Sequence, residues 1–109
     1  MKTWKVVISA NAKADLKDIY GYIAYTLLEP QIAKNQKKRI TENIKKLKQF
    51  PESFPIYENE PWHSLGLRRF FVNNYTVIYQ VFKEKNTVSV VTVIHSRRNI
   101  DNVLGKALK

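Results

Sequence analysis

Two histidines, His63 and His95, and two arginine pairs, Arg68-Arg69 and Arg97-Arg98, are the residues of this 109-residue chain whose types lend themselves to chemistry. An imidazole exchanges its proton near neutral pH. A guanidinium brings permanent charge and a two-pronged donor to phosphate oxygens. Together they suit one demanding reaction, cleavage of RNA without a metal: one group takes the 2′-hydroxyl proton, cations steady the crowded phosphate, and an acid serves the leaving oxygen. The chain has no cysteine, so it offers no thiol nucleophile, thiolate metal site or disulfide framework. Two histidines and nine acidic residues are also a thin supply for a closed metal site, and neither metal nor cofactor is expected.

Each of these residues has a plainer reading beside the chemical one. His95 closes an apolar run, where a hydrogen-bonding structural role and proton transfer both stay open. His63, between Trp62 and Ser64 in a loop, reads as incidental. Arg68 and Arg69 are neighbours on a strand, so they point to opposite faces and at most one joins a given site; Arg68 is the one favoured, with a simple ion pair as its alternative. Arg97 and Arg98 follow a strand directly and read equally well as a solvated pair. Tyr75 and Tyr79 share a strand face, which is more often core than a platform for stacking bases.

The elements that must position these groups are legible from spacing. Residues 4 to 8 form a short apolar run, and Ser9 or Asn11 offers the cap for a helix. Ala12, Leu16, Ile19, Tyr20, Ile23 and Leu27 recur at steps of three and four, predicting a helix that ends near Leu28. Pro30 suits the first turn of a second helix, where its missing N–H has no intrahelical role. Ala33, Ile40, Ile44 and Leu47 keep helical spacing, with Lys34, Lys37, Lys38, Lys45 and Lys48 on the remaining circumference as a solvated face. That helix stops at Phe50-Pro51, because proline disfavours helical backbone in the residue before it.

Residues 51 to 66 hold three of the four prolines with Glu52, Glu58 and Glu60, a loop carrying a net charge of −3. Three β-rich runs follow, Leu67 to Val72, Tyr75 to Phe82 and Thr87 to His95. Asn73-Asn74 tolerates positive φ and so suits a tight hairpin, and Lys83 to Asn86 supplies a second turn. A closing segment, Asn99 to Leu108, is read as helical. The expected class is α+β, one domain over residues 1 to 109. An antiparallel sheet of about four strands packs against an N-terminal two-helix hairpin, in the order β-α-α-β-β-β with a short C-terminal helix.

Nineteen basic against nine acidic residues give a net charge of +10. A surface so charged attracts polyanions without specifying which, whether nucleic acid, ribosome or acidic protein. Six Tyr, five Phe and two Trp within a 44% hydrophobic chain argue for a packed globule. The N-terminus lacks a secretory pattern and no stretch approaches 18 apolar residues, so a soluble cytoplasmic protein with no membrane partner is expected.

Four segments carry a family resemblance, in this order: Leu47-x-x-Phe50-Pro51; Gly66-Leu67-Arg68-Arg69; Val72-x-Asn74-Tyr75-Thr76-Val77-Ile78-Tyr79-Gln80-Val81; and Val93-Ile94-His95-Ser96-Arg97-Arg98-Asn99. In order and spacing they resemble the RelE/ParE toxins of bacterial type II toxin-antitoxin modules, over residues 4 to 104. The resemblance implies a small sheet with a two-helix arm, a cognate antitoxin that silences it, and growth arrest once the antitoxin is degraded. The RelE-like branch cuts mRNA in the ribosomal A site; the ParE-like branch poisons DNA gyrase and is no nuclease.

RelE-like sequences typically carry an arginine where this chain has Thr76, and threonine has neither the charge nor the fork to hold a phosphate. The runs at 72–79 and 94–99 look more like ParE-type sequences, so gyrase inhibition is the expected mechanism. A metal-independent, ribosome-dependent endoribonuclease built on Arg68, His95, Arg97 and Arg98 is the alternative, and a non-toxic basic binding module the third. The expected partners are a small acidic antitoxin, forming a toxin-antitoxin hetero-oligomer, and either gyrase or the ribosome with its mRNA as target.

Overall fold

The structure, a computed structural model, describes residues 3–107. Strand β1 (Lys5–Ile8) leads into α1 (Ala10–Gly21), which widens into a π-helical turn over Tyr22–Thr26. Helix α2 (Pro30–Lys45) returns and tightens into a 3₁₀ turn, Lys46–Lys48. Strands β2 (Leu67–Val72), β3 (Tyr75–Phe82) and β4 (Thr87–His95) follow, and α3 (Ile100–Ala107) closes the described chain. The three later strands thus have the bounds read from sequence, and Asn73 and Asn86 take the positive φ that their turns demand. Leu108, the last residue of the expected closing helix, lies outside the described residues.

The sheet order is β1-β4-β3-β2. β2, β3 and β4 form the expected antiparallel meander, while β1 joins the free edge of β4 in parallel, Lys5 opposite Thr87 and Ile8 opposite Val90. A parallel partner requires a long crossover, and here the helical hairpin, the loop and two strands supply it.

Ser9 is the residue that caps α1, its Oγ accepting from Ala12 N at 3.0 Å. Pro30 stands in the first turn of α2, as its missing donor predicts. Ala12, Leu16, Ile40, Ile44 and Leu47 bury against Phe70, Val72, Val77, Tyr79, Val88, Val90 and Val93 on one sheet face. The π-helical turn interrupts the spacing expected of a single helix to Leu28. Its wider backbone shifts the register, so Ala24 is buried and Leu27 is exposed. Beyond the sheet the hairpin carries a small cluster of its own, Ile23, Ala24 and Ala33.

The opposite sheet face is covered too, which spacing alone did not indicate. Tyr57 and Trp62 from the loop and Leu104 from α3 pack on Leu67, Ile78, Val91 and Ile94. Trp62 Nε1 donates to Asp101 Oδ1 at 2.7 Å, pinning α3 to the loop.

Candidate functional site

β1 pairs with only the first part of β4, as far as Val90. Past that point the outward backbone groups of β4 need other partners, and the start of α1 provides them. Val91 O accepts from Ser9 Oγ at 3.0 Å and from Asn11 Nδ2 at 3.2 Å, and Val93 N donates to Asp15 Oδ2 at 3.0 Å. Thr92, fully buried, donates its hydroxyl to the same Asp15 oxygen. Val91 itself is unopposed: Ile78 faces Thr92 and Tyr79 faces Val90, so one extra residue bulges from β4. The bulge reverses the alternation beyond it and turns Val93 and His95 toward α1.

An open groove of about 450 Å³ results between α1 and the ends of β3 and β4, its walls including Asp15, Asp18, Tyr22, Tyr75, His95 and Arg98. His95 lies opposite Tyr75, the two rings edge to face with centroids 5.5 Å apart. His95 Nδ1 accepts the backbone N–H of Arg97 at 3.2 Å, so the neutral ring carries its proton on Nε2. The lone pair that a general base requires is thereby engaged, and the free nitrogen is a donor. Burial, then the nearby Tyr22, raises the Tyr75 phenol above its ordinary pKa and keeps it a donor as well. Arg98 adds a guanidinium, and Asp15 and Asp18 carboxylates, so the groove presents donors beside charges of both signs.

The other sequence-nominated residues lie elsewhere. Arg68 donates to the backbone oxygens of Glu52 and Phe54 and lies 3.9 Å from the Glu52 carboxylate, which also meets Lys83 Nζ at 3.0 Å. Its guanidinium therefore ties the loop to β2. Arg68 stands opposite Tyr79 and His95 opposite Tyr75. Four residues of β3, about 13 Å along the strand, and two strand spacings of about 5 Å each across the sheet separate them. Tyr79 backs this anchor by donating to Pro51 O, and burial pushes its phenol up to about 12 against the opposing pull of Arg68.

Arg69 sits over the Tyr57 ring, 4.6 Å from the centroid, on the opposite face from Arg68 as strand alternation requires. Arg97 is exposed in the turn after β4. His63 contacts Tyr57 O through Nδ1 in the loop that covers the far face of the sheet, remote from His95. Thr76 is fully buried, its Oγ1 2.9 Å from Ser96 Oγ, so it binds the start of β3 to the turn after β4.

Asp15 and Tyr22 escaped the sequence reading. The signal for Asp15 was present: three residues after Ala12 and four before Ile19, it occupies the apolar face of α1, where a carboxylate must find buried donors. The π-helical turn that displays Tyr22 has no comparable signature. Around it Tyr22, Tyr25, Leu27, Leu28 and Ile32 leave an exposed apolar patch at the hairpin tip, Tyr25 and Leu28 being 75% and 76% exposed.

Residues 6–100 match the family model described as the ParE toxin of the type II toxin-antitoxin system parDE. The chain belongs to the ParE toxin family. Its fold is that of the chromosomal ParDE system of P. aeruginosa, at a TM-score of 0.71 and 19% identity over 87% of this chain and 98% of that one. The toxin-antitoxin complex RelBE2 of Mycobacterium tuberculosis is similar at 0.61, with 20% identity over 87% of this chain and 93% of the other. The archaeal RelE-RelB complex of Pyrococcus horikoshii matches at 0.61 and 21% identity, over 89% and 99%. No curated protein matches the sequence. This member of the ParE family thus shares one fold with ParE-type and RelE-type toxins, and the fold alone does not assign its target. Among the described residues, no helix is long and apolar enough to cross a membrane, and no three His, Asp or Glu side chains gather as a metal site.

Proposed function

We propose that this ParE-family toxin arrests growth by inhibiting DNA gyrase, and that a small acidic antitoxin in a hetero-oligomeric complex holds it silent. The observation carrying this reading is Thr76. At the strand position where RelE-like sequences typically carry an arginine, the side chain is short, uncharged, fully buried and committed to Ser96. Purified toxin added to gyrase and relaxed plasmid is expected to block supercoiling and accumulate cleaved DNA. Normal supercoiling at excess toxin sinks the proposal.

A second reading, ribosome-dependent mRNA cleavage, draws on the groove around His95. There Arg98, with Arg97 beside it, would meet the phosphate and the imidazole would act as a proton donor, while Arg68 would serve only by holding the loop. Codon-positioned cuts on a translated message, abolished by His95→Gln and Arg98→Ala together, would favour it over gyrase. For the antitoxin, the exposed patch at the hairpin tip suits the apolar side of an amphipathic segment, and the +10 charge suits an acidic one.

A further inference from the structure

A second groove, of about 590 Å³, lies at the other end of β4, where the N-terminus of β1, the turn after α2 and the β3–β4 turn meet. Three lysines from three different elements converge there, Lys5, Lys48 and Lys85, beside Trp4, Val6 and Asn86. Backbone bonds fix the three elements to one another. Trp4 N donates to Lys48 O at 2.8 Å, Lys5 N to Asn86 O at 3.0 Å, and Asn86 Nδ2 to Thr3 O at 2.9 Å. The lysines are exposed, no carboxylate lines the groove, and none of the three makes an ion pair among the described residues. Three ammonium groups held together without a counter-charge repel one another, and a polyanion relieves that repulsion. Trp4 is half-buried, packed on the core cluster, and lines the groove beside the charges, where its indole offers a base a flat surface to stack upon.

We propose that this groove binds single-stranded nucleic acid without regard to sequence, Lys5, Lys48 and Lys85 meeting its phosphates and Trp4 meeting a base. The inference does not rest on the gyrase reading, because binding is measured with neither gyrase nor ribosome present.

The test is fluorescence anisotropy of the 109-residue toxin with a labelled oligo(dT) of about twenty nucleotides, longer than a single-groove site. The variant Lys5→Gln/Lys48→Gln/Lys85→Gln is expected to bind at least tenfold more weakly. The slope of log affinity against log salt should shrink by about 2, at roughly 0.7 per phosphate lost for a single strand. Lys34→Gln/Lys37→Gln/Lys38→Gln, an equal charge loss on the exposed side of α2, is expected to keep the wild-type affinity to within about threefold and to leave the salt slope in place. Trp62→Phe leaves Trp4 as the sole indole, and its fluorescence is expected to be quenched by oligo(dT).

Equal losses in the two triple variants would reduce the effect to overall charge and overturn the proposal, as would full binding by the groove variant. Polyglutamate competing as well as oligo(dT), charge for charge, would reassign the groove to an acidic protein. Duplex DNA binding as tightly as oligo(dT), with no Trp4 quenching, would refute the single-strand assignment.

Discussion

Asp15 is one carboxylate on which the geometry of the candidate site depends, and removing it has a calculable cost. In Asp15→Ala the Thr92 hydroxyl and the Val93 N–H, both on buried residues, lose their acceptor, while the side of Asp15 that borders the open groove stays accessible to water. Hydrogen bonds to a charged group are worth about 1.5–3 kcal/mol each. The Asn11 contact is exposed and adds little. Because the two buried donors share one oxygen, their losses do not simply add, and a total of about 3 kcal/mol is expected. For a chain of this size that lowers Tm by roughly 12–20 °C.

Urea unfolding of the isolated toxin measures the change directly. Asp15→Asn retains an acceptor oxygen and should cost only about 1 kcal/mol, because the remaining bonds lose their ionic component. A double-mutant cycle with Thr92→Val isolates the side-chain pair, and a coupling of about 1 kcal/mol is expected. If Asp15→Ala changed stability by less than about 0.5 kcal/mol, the value typical of an ordinary surface site, the role assigned to α1 in completing the edge of β4 would be wrong. Strict additivity in the cycle would refute the Thr92 bond alone.

Other consequences are simpler to state. The Tyr79 phenol is raised to about 12 from an ordinary value of 10, so its contribution to stability is fully present below pH 10 and is lost as pH climbs toward 12; urea midpoints should fall across that window, and less steeply in Tyr79→Phe. Leu28 holds φ at +57° with its side chain exposed. Left-handed backbone costs a branched L-residue about 1–2 kcal/mol, so Leu28→Gly should raise thermal stability by about 0.5–1 kcal/mol after the greater freedom of unfolded glycine is subtracted. The same change should weaken antitoxin binding if the hairpin tip is the docking surface, which calorimetric titration would reveal. Asp101→Ala frees Trp62 Nε1 and should increase amide exchange over 100–107 selectively, leaving β3 protected. Arg68→Met, which breaks the bonds to Glu52 and Phe54, should loosen residues 51–54 and cost about 2 kcal/mol; under the gyrase reading, inhibition per folded molecule should be unchanged.

What could be read along the chain was what neighbouring residues determine. The three later strands are runs of β-branched and aromatic residues bounded by asparagine turns, so their bounds emerged directly, as did the start of α2 at Pro30; its expected end at Phe50-Pro51 was too late, since the α-helix stops at Lys45 and tightens into a 3₁₀ turn to Lys48. The bulge at Val91 and the parallel seat of β1 depend on partners tens of residues away and leave no local trace, and the π-helical turn has no sequence signature of its own. Within the site, His95 and Arg98 were legible because they end a recognisable strand. Arg68 drew attention through the Gly66-Leu67-Arg68 segment of the family resemblance, yet its charge is spent on the loop carbonyls. Trp62 and Tyr57 stood in a segment rich in proline and glutamate, and only the uncovered far face of the sheet explains why those aromatics are there.

The seat of β1 also sets an order of events. Lys5–Ile8 cannot pair until Thr87–Val90 exists, and the groove at His95 needs both α1 and the last residues of β4. During synthesis the helical hairpin emerges first, with its apolar face uncovered and no sheet to receive it. Contacts that span so much sequence close late and slowly. The seat of β1 and the groove at His95 are therefore both completed only when the last strand has left the ribosome, so the helical hairpin is available to a binding partner before either of them exists.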